Sequence, residues 1–445
     1  SALVGMHAKC SRIPSAQRLF DEMPYRNEVT WHSLISGYLY ANSPKIAAYL
    51  FVMMLKEGIL LTPYSISYAL VGCSQLEAGG LGAEVHGLSL KAGFGHNVVV
   101  GTCLIYMYTK CRNVEDSRRV FDEMVDKNVI TYTSMVTAYA QNGQPDEAMI
   151  LVKEIKVCSG ITIWDQISWN AVIAAFSNLG CGEEALDCFI RMRLAGIYMD
   201  FFTFASVLGA IGIISALEEG KQIHALVLKN GHISNICIQN GIVSMYARGG
   251  AIRESKKVFS TMDEHDVISW NSLLSGCAHH GYGEEAIELF EQMTETGIKP
   301  NSTTFLTVLS ACSHVGLVDK GLKYFNLMRN NALLEPPRAE HYASVVDLFG
   351  RAGYLTEAEA FISSMPIQPG PSVYKALLSA CQVHGNREIA ARAAKKLLQL
   401  WPNDPGTYIL LSNVLRTGGS WDNATGLRNL MSHRGVRKNP GYSWI

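Results

Sequence analysis

The sequence lacks the features that mark most catalytic, membrane-spanning or disulfide-rich proteins. Among its 445 residues no apolar run approaches the roughly 18 residues that a membrane-spanning helix needs. Eleven cysteines are present, but no two form a Cys-x-x-Cys pair, and no His-x-Glu segment, Walker loop, nucleophile elbow or His-Glu-x-x-His helix occurs. We therefore predict that this chain performs no chemistry itself and holds no metal or cofactor.

Charge is also scarce and nearly balanced. Charged residues make up 17% of the chain, and 38 Lys and Arg against 39 Asp and Glu give a formal net charge of −1. The segment 386–445 holds nine basic and three acidic residues, a surplus of six positive charges, so the remainder carries −7. Bulk electrostatic steering toward a polyanion is therefore weak, and any nucleic-acid binding must depend on specific contacts along a surface.

A long-range repetition organises the chain. The segment ISWNAVIAAFSNLG begins at Ile167, and ISWNSLLSGCAHHG begins 101 residues later at Ile268. The interval divides into units of 35, 35 and 31 residues. Repeating the division along the chain gives 1–27 (partial), 28–62, 63–97, 98–128, 129–165, 166–200, 201–235, 236–266, 267–301, 302–337 and 339–370. Ser1 falls inside a unit, and we expect that a leader segment preceded it.

Each unit predicts two helices. In the unit 166–200 the stretch NAVIAAFSNL is broken by a turn at 180–182, and Ala185, Phe189 and Met192 then form one apolar stripe at helical spacing. A single hairpin cannot bury such stripes, so neighbouring hairpins must stack into an open α-solenoid. Four cysteines recur at one register, which favours packing in a reducing compartment over disulfides: Cys73, Cys277, Cys312 and Cys381.

The final units carry the most specific motifs. HYASVVDLFGRAGYLTEAEAFISSMP begins at His341, SVYKALLSACQVHGN at Ser372 and YILLSNVLRTGGSWDNATGLRNLMSHRGVRKNPGYSWI at Tyr408. The whole chain resembles plant pentatricopeptide repeat proteins in which P-, L- and S-type units alternate, and its end resembles the extension motifs of the RNA-editing branch. The resemblance implies an all-α, right-handed superhelical solenoid. It makes 28–128, 166–266 and 267–370 P-L-S triplets, 129–165 an extended P-type unit, 1–27 a partial S-type unit and 371–445 tetratricopeptide-like extension hairpins.

By this resemblance each unit reads one base of single-stranded RNA with its fifth and last residues, which we call the reading pair. The resemblance assigns adenine to Thr102 with Asn128, guanine to Thr133 with Asp165, uracil to Asn170 with Asp200 and to Asn240 with Asp266, and a pyrimidine to Asn271 with Asn301. The implied word is 5′-A-G-U-n-U-Y-3′. The second residues of these units are implied to wedge between bases: Val99, Ile130, Ile167, Cys237 and Ile268.

Other units depart from the pattern and give little or no code: His32 with Thr62, Ser67 with Asn97, Ala205 with Asn235, Leu306 with Pro337, and Ala343 with Gly370. A structural explanation of the fifth residues also stays open, because Asn, Thr and Ser near a helix start are what N-capping requires, each worth about 1 kcal/mol. Capping does not explain why all five assigned units end in Asn or Asp. His86 and His224, with no second ligand at helical spacing, are predicted to be packing residues rather than metal ligands.

The resemblance implies a sequence-specific RNA-binding factor that selects cytidines for C-to-U editing in mitochondrial or chloroplast transcripts. A DYW-type deaminase or another editing-complex protein would be recruited through 371–445, or a further C-terminal segment would supply the enzyme. Two alternatives remain: an organellar RNA stability or processing factor that does not edit, and a helical-repeat scaffold that binds peptides. A peptide scaffold has no reason to keep reading pairs, so their geometry distinguishes it from the first two.

Overall fold

The computed structural model describes residues 1–154, 164–331, 334–417 and 421–436. Every regular element in these ranges is an α-helix, and the helices group into two compact units, Ser1–Ile214 and Ser215–Ile445. The insertion expected within 159–165 and the basic tail 434–445 lie largely outside the described residues. The all-α solenoid predicted from the repeats is confirmed.

The first unit contains thirteen helices: α1 (Ala2–Lys9), α2 (Ile13–Asp21), α3 (Glu28–Tyr40), α4 (Pro44–Lys56), α5 (Pro63–Gln75), α6 (Gly79–Lys91), α7 (Val98–Lys110), α8 (Val114–Glu123), α9 (Val129–Gln141), α10 (Pro145–Glu154), α11 (Gln166–Asn178), α12 (Gly182–Leu194) and α13 (Phe201–Ile214). The described part of the second contains thirteen more: α14 (Leu217–Lys229), α15 (Ile236–Arg248), α16 (Ile252–Ser260), α17 (Val267–His279), α18 (Gly283–Glu295), α19 (Ser302–Val315), α20 (Val318–Arg329), α21 (Ala339–Arg351), α22 (Leu355–Ser363), α23 (Pro371–His384), α24 (Arg387–Leu400), α25 (Pro405–Thr417) and α26 (Trp421–His433).

Within each unit the helices form two layers. The odd-numbered helices, which we call first helices, pack side by side, as α5 does on α7 and α19 does on α21. The even-numbered second helices pack in the clefts behind them, so that α12 contacts α11 and α13 and α18 contacts α17 and α19. Each hairpin therefore buries its apolar stripe against its neighbours, as expected of a repeat that cannot fold alone.

The hairpin α11–α12 shows how the sequence sets this geometry. Gly180 closes the turn at φ +79°, a left-handed conformation that glycine adopts without strain. Gly182 starts α12, and a Cβ there would lie 2.6 Å from the carbonyl oxygen of Ala210. The close approach brings Phe189 and Met192 into the core, where they are 1% and 0% exposed. The stripe predicted from the sequence is thus the packing surface of α12.

Edge-on aromatic pairs join the repeats 1–27, 98–128 and 236–266 to the repeats that follow them. Phe20 meets Trp31, Phe121 meets Tyr132 and Phe259 meets Trp270, with ring centroids 4.7, 5.1 and 4.9 Å apart and interplanar angles of 73–81°. Edge-to-face packing places the positive ring edge on the negative ring face. Trp31, Tyr132 and Trp270 are therefore joints between hairpins.

The repeated cysteines are packing residues, as predicted. Cys73, Cys277, Cys312 and Cys381 are all buried, and the ten cysteines in the described residues are free thiols. Burial raises the pKa of Cys73, Cys277 and Cys381 to about 11 and that of Cys312 to about 12. Across the described ranges, no helix is long and apolar enough to cross a bilayer, and no cluster of three potential metal ligands occurs.

Candidate nucleic-acid interface

In most repeats the side chain of the last residue caps the first helix of the next repeat, whereas Arg338 and Gly370 make no side-chain cap. First helices begin at the first residue of a repeat, for example at Val129, Gln166 and Val267. Side-chain oxygens of the preceding residues accept first-turn backbone N–H groups: Thr62, Asn97, Asn128, Asp165, Asp200, Asn235, Asp266 and Asn301. Capping therefore accounts for Asn and Asp at the last position. The fifth residues lie inside their helices, so the capping explanation offered for them is wrong.

In three repeats the fifth residue bonds directly to the last residue. The amide Nδ2 of the fifth residue donates to Oδ1 of the last residue at 3.0–3.2 Å: Asn170 to Asp200, Asn240 to Asp266, and Asn271 to Asn301. These residues are 26 or 30 positions apart in the chain. The sequence-predicted reading pairs are thus real side-chain pairs in these repeats.

A hydroxyl on the next first helix fixes the orientation of each amide. Thr203, Ser269 and Thr304 donate to Oδ1 of the fifth Asn at 2.6, 2.6 and 2.7 Å. The same hydroxyls lie 2.9–3.0 Å from Oδ1 of the last residue. With its oxygen occupied in this way, each fifth Asn keeps one Nδ2 hydrogen beyond the one used in the pair. The sequence analysis did not identify these bridging hydroxyls.

The acidic members of the pairs are held ionised. Partial burial alone would raise the pKa of Asp200, but bonds from the backbone and hydroxyl of Thr203 outweigh it. Further bonds from Asn170 and Gln166 help to lower the pKa of Asp200 below its ordinary value. The same balance lowers the pKa of Asp266. At neutral pH both carboxylates are therefore acceptors only, whereas an Asn in the same place also offers a donor.

The two threonine repeats are built differently. The hydroxyls of Thr102 and Thr133 donate to the carbonyl oxygens of Val98 and Val129, both at 2.8 Å. Each hydroxyl proton is thereby used within the helix, which leaves the oxygen to accept a bond from a ligand. The Thr131 hydroxyl stands between Thr102 and its last residue, 3.1 Å from the Thr102 hydroxyl and 2.9 Å from Oδ1 of Asn128. Asp165 has a lowered pKa, chiefly because of the Ser168 hydroxyl.

Most reading residues reach the surface. Asn128, Asp165 and Asn301 are exposed, and the other members are half-buried with one exception. Asn240 is only 5% exposed, because Ser269 and Asp266 cover its amide. We therefore expect Asp266 to make the direct ligand contact in that repeat.

The second residues are exposed on the first helices of both compact units. Val99, Ile130, Ile167 and Ile268 are 52, 64, 78 and 61% exposed, and Cys237 is also exposed. Residues two and five share one helix face because they are three positions apart. The structure adds three members that the sequence analysis did not single out, at 52, 65 and 59% exposure: Val29, Tyr64 and Phe202.

A cleft lies between two consecutive second residues. Ile130 and Ile167 line a single cavity of about 270 Å³ together with the fifth residue Thr133. Ser168, the partner of Asp165, lies in the same lining. This cleft, which we call a slot, thus has two apolar walls, Ile130 and Ile167, and a polar floor that includes Thr133 and Ser168.

The first two L-type repeats cap their neighbours in another conformation. The last residues Asn97 and Asn235 have ψ of 119° and 121°, and each accepts from the second and third residues of the next helix. Asp266 and Asn301 both have ψ of 179°, and in the next helix the backbone N–H that each accepts is that of the third residue. In repeat 63–97 the Ser67 hydroxyl donates to the carbonyl of Pro63 at 2.7 Å. These repeats therefore lack the paired arrangement.

Three further repeats depart from the expected pairs in other ways. His32 and Thr62 lie 3.5 Å apart, a weak contact. The partner assigned to Leu306 is wrong, because Arg338 rather than Pro337 is the N-cap of α21 and so ends that repeat. Arg338 donates to the Ser302 hydroxyl at 3.0 Å. Ala343 and Gly370 offer no polar side chain.

His86 and His224 are packing residues with one polar partner each, as predicted. Their Nδ1 atoms lie 3.0 and 3.1 Å from the hydroxyls of Tyr108 and Tyr246. Desolvation lowers the pKa of both histidines.

Comparison with known families accounts for this architecture. A PPR repeat model matches residues 29–59, 102–129, 130–159, 167–197 and 303–332, a PPR repeat family model matches 265–314, and an E motif model matches 384–445. Together these matches cover more than half of the chain. The chain is a pentatricopeptide repeat protein.

Matches that span the whole of this chain, to pentatricopeptide repeat-containing proteins of Arabidopsis thaliana, support this family assignment. One, named chloroplastic, is 34% identical over 509 residues, covering 100% of this chain and 63% of the relative. Another, named mitochondrial, is 34% identical over 446 residues, covering 100% of this chain and 47% of the relative. The chain thus spans about half to two thirds of the length of these pentatricopeptide repeat relatives.

A solved structure shows the same fold. The pentatricopeptide repeat protein PPR10, in complex with an 18-nucleotide psaJ RNA element, matches with a TM-score of 0.55 at 17% identity. The match covers 98% of this chain and 74% of that chain.

Proposed function

We propose that this chain binds single-stranded RNA with the word 5′-A-G-U-n-U-Y-3′ and selects cytidines for C-to-U editing in mitochondrial or chloroplast transcripts. The observation that carries the proposal is the set of direct Asn–Asp and Asn–Asn pairs, in repeats whose second residues are exposed. The RNA-bound state of PPR10, a protein of the same fold, supports an RNA ligand.

The hydrogen-bond chemistry of the pairs fits the word. An ionised Asp only accepts bonds, so Asp165, Asp200 and Asp266 suit bases whose Watson–Crick edge carries a ring N–H, namely guanine and uracil. Asn can also donate, so Asn128 and Asn301 suit adenine and cytosine, whose ring nitrogen is an acceptor. The fifth residue then distinguishes the two classes of base: Thr is assigned to purines and Asn to pyrimidines. The two side chains differ in length and in the number of hydrogen-bond donors.

A titration at fixed salt concentration tests the word. We expect each mismatched base to weaken binding by about 1–3 kcal/mol, near tenfold or more. Equal affinity for the word and for a scrambled RNA of the same composition would reject sequence-specific recognition.

A substitution in one repeat tests the register. With Asp200 kept, Asn170→Thr should shift the preference at that position from uracil toward guanine. Ser67→Thr, at the fifth position of an L-type repeat, serves as the matched control and should change no preference. A variant at Asn170 that still prefers uracil would show that the register is wrong.

Editing requires a separate experiment, since binding alone does not establish it. The chain would be co-expressed with a DYW-type deaminase and a transcript that carries the word upstream of a cytidine, and conversion to uridine would be read by sequencing. We expect conversion with the word and none with a scrambled word, and we expect charge-reversal variants on the exposed surface of 371–436 to reduce it. Binding without conversion would favour the RNA stability factor.

A further inference from the structure

The third L-type repeat, 302–338, combines the cap backbone of a base-assigned repeat with a side chain of a different kind. Arg338, the N-cap of α21, has ψ of 170°. The other two L-type repeats end in Asn97 and Asn235, with ψ of 119° and 121°. Four last residues of base-assigned repeats have ψ between 170° and 179°: Asn128, Asp165, Asp266 and Asn301. Arg338 therefore shares the backbone conformation of the base-assigned repeats and not that of its own class.

Three positions change together around this cap. The fifth residue, the last residue and the third residue of the next first helix, elsewhere an amide, an acceptor and a bridging hydroxyl, are here Leu306, Arg338 and His341. His341 is 1% exposed, and its Nδ1 accepts the backbone N–H of Arg338 at 3.2 Å. Its Nε2 therefore carries a proton, which it donates to the carbonyl oxygen of Ser302 at 2.9 Å. The imidazole thus fixes the backbone of Arg338 against the first residue of the repeat.

Helix formation does not explain an arginine at this position. The guanidinium has no acceptor with which to cap α21, and the macrodipole disfavours a cation at a helix N-terminus. The Arg338 side chain is exposed, and the ion pairs among the described residues do not include it. Its guanidinium donates to the Ser302 hydroxyl, with Nη2 and Oγ 3.0 Å apart. A residue that breaks a local rule without a gain in folding is expected at a functional site.

The chemistry of the guanidinium restricts the base that it can recognise. It only donates hydrogen bonds, and its N–H groups form a fixed fork that suits two neighbouring acceptors. On the Watson–Crick edge, cytosine presents N3 and O2 side by side. Uracil and guanine carry a ring N–H on that edge, and adenine has its acceptor N1 beside an amino group. Leu306 has no polar group, so the choice of base in this repeat falls to Arg338.

We propose that Arg338 reads the nucleotide 3′ of Y and selects cytosine through parallel hydrogen bonds to N3 and O2. The word then extends to 5′-A-G-U-n-U-Y-C-3′. The proposal rests on the RNA-binding function above. The Ser302 hydroxyl engages one donor of the guanidinium and leaves its remaining N–H groups for the base.

The experiment compares four RNAs that carry the word followed by C, U, A or G, at one salt concentration. The RNA with cytosine should bind about 5- to 150-fold more tightly than each of the others. Replacing that cytosine by 3-deazacytosine, which lacks the N3 acceptor, should remove the advantage. Replacing it by 2-pyrimidinone, which keeps N3 and O2 but lacks the amino group, should preserve it.

Variants separate base reading from charge and from damage to the fold. Arg338→Asp can cap α21 as other repeat ends do, so the melting temperature should not fall, whereas the preference should move from cytosine to uracil or guanine. Arg338→Lys keeps the charge but loses the fork, and should reduce the preference for cytosine. Arg329→Asp makes the same charge change on the second helix α20 of this repeat, and as the matched control should leave the preference unchanged. Circular dichroism melting verifies folding.

The outcomes are distinct. Equal binding of the four RNAs, as a contact to phosphate alone would give, would overturn base reading by Arg338 while recognition of the preceding nucleotides stood. Preference for another base in the unsubstituted chain would also overturn it, as would a cytosine preference that survives in Arg338→Asp. Absence of discrimination at the preceding nucleotides would instead reject the proposed function.

Discussion

Repeats 267–301 and 63–97 end in the same residue type and differ in what that residue can do. Asn301 and Asn97 both cap the next first helix, but their ψ values are 179° and 119°. In the first conformation Oδ1 also accepts from the fifth residue, Asn271; in the second it accepts from two backbone N–H groups instead. The comparison teaches that the backbone at the cap, more than the residue type, decides whether a repeat has a reading pair.

The second helices of the two classes differ as well. At the eighth residue of the helix, repeats 166–200 and 267–301 have Phe189 and Phe290, which are 1 and 2% exposed. The first two L-type repeats have half-buried His86 and His224 in that place, each bonded to a tyrosine hydroxyl. L-type hairpins thus replace part of an apolar contact by a polar one.

The largest effect should come from testing that packing difference. Phe189→Ala should lower the free energy of unfolding by about 3–5 kcal/mol, since it removes a fully buried ring. His224→Ala removes a half-exposed side chain and one hydrogen bond, and should cost about 1 kcal/mol. Urea titration followed by circular dichroism measures both. Equal losses would contradict the packing difference.

Removing the caps separates stability from recognition. Asp200→Ala and Asn97→Ala should each lower the free energy of unfolding by about 1 kcal/mol, because each removes an N-cap. Only Asp200→Ala should also weaken binding of the word, by about 1–3 kcal/mol, and abolish the uracil preference. Thermal melts and RNA titrations on the same samples make the comparison. A change of base preference in the Asn97 variant would show that L-type last residues also read.

His86 and His224 predict a pH dependence in L-type repeats, beside that of His32, whose pKa desolvation also lowers. Because desolvation lowers their pKa below 6.5, the unfolded chain binds protons more readily, and stability should fall as pH drops through about 6.5. Replacing both histidines by Phe, as other repeats have, should reduce the loss of stability between pH 7 and 5, and His32 should account for part of the loss that remains. Melting temperatures across that range measure the change, and an unaltered slope would assign it to other groups.

The smallest effect is expected from substitutions that give an L-type repeat the residue types of a uracil-reading repeat. Ser67→Asn with Asn97→Asp gives an L-type repeat the residues of a uracil reader, and we expect no uracil preference, because the cap conformation does not bring the side chains together. The matched variant, Thr102→Asn with Asn128→Asp, should change adenine to uracil. RNA titration with each base in turn distinguishes the two. A working L-type reader would show that residue type outweighs backbone conformation.

The repeat frame could be predicted because its signals are local. Apolar spacing and capping residues fix where each first helix begins. The odd-numbered helices from α3 to α19 begin at the residues where the units were divided. The three Asn pairs could be named from a family resemblance, although 26–30 residues separate their members.

Other features had no local signal. Residues 97 and 128 are both Asn, so the sequence did not predict that their ψ values differ. Arg338 was missed because a longer repeat shifted the frame by one residue. The Thr203, Ser269 and Thr304 bridges, and the His–Tyr bonds across 22 residues, depend on how hairpins stack.

One oxygen atom of the last residue performs the capping, and the neighbouring terminal atom is the one that differs between Asn and Asp. Exchanging these residues at 128 or 301 keeps the acceptor that starts the next helix and replaces an amide nitrogen by a carboxylate oxygen. Under the proposed recognition, a single-codon mutation at either position would change the base that the repeat prefers and leave the N-cap in place. A new specificity and the stability of the fold would then depend on separate atoms of one side chain.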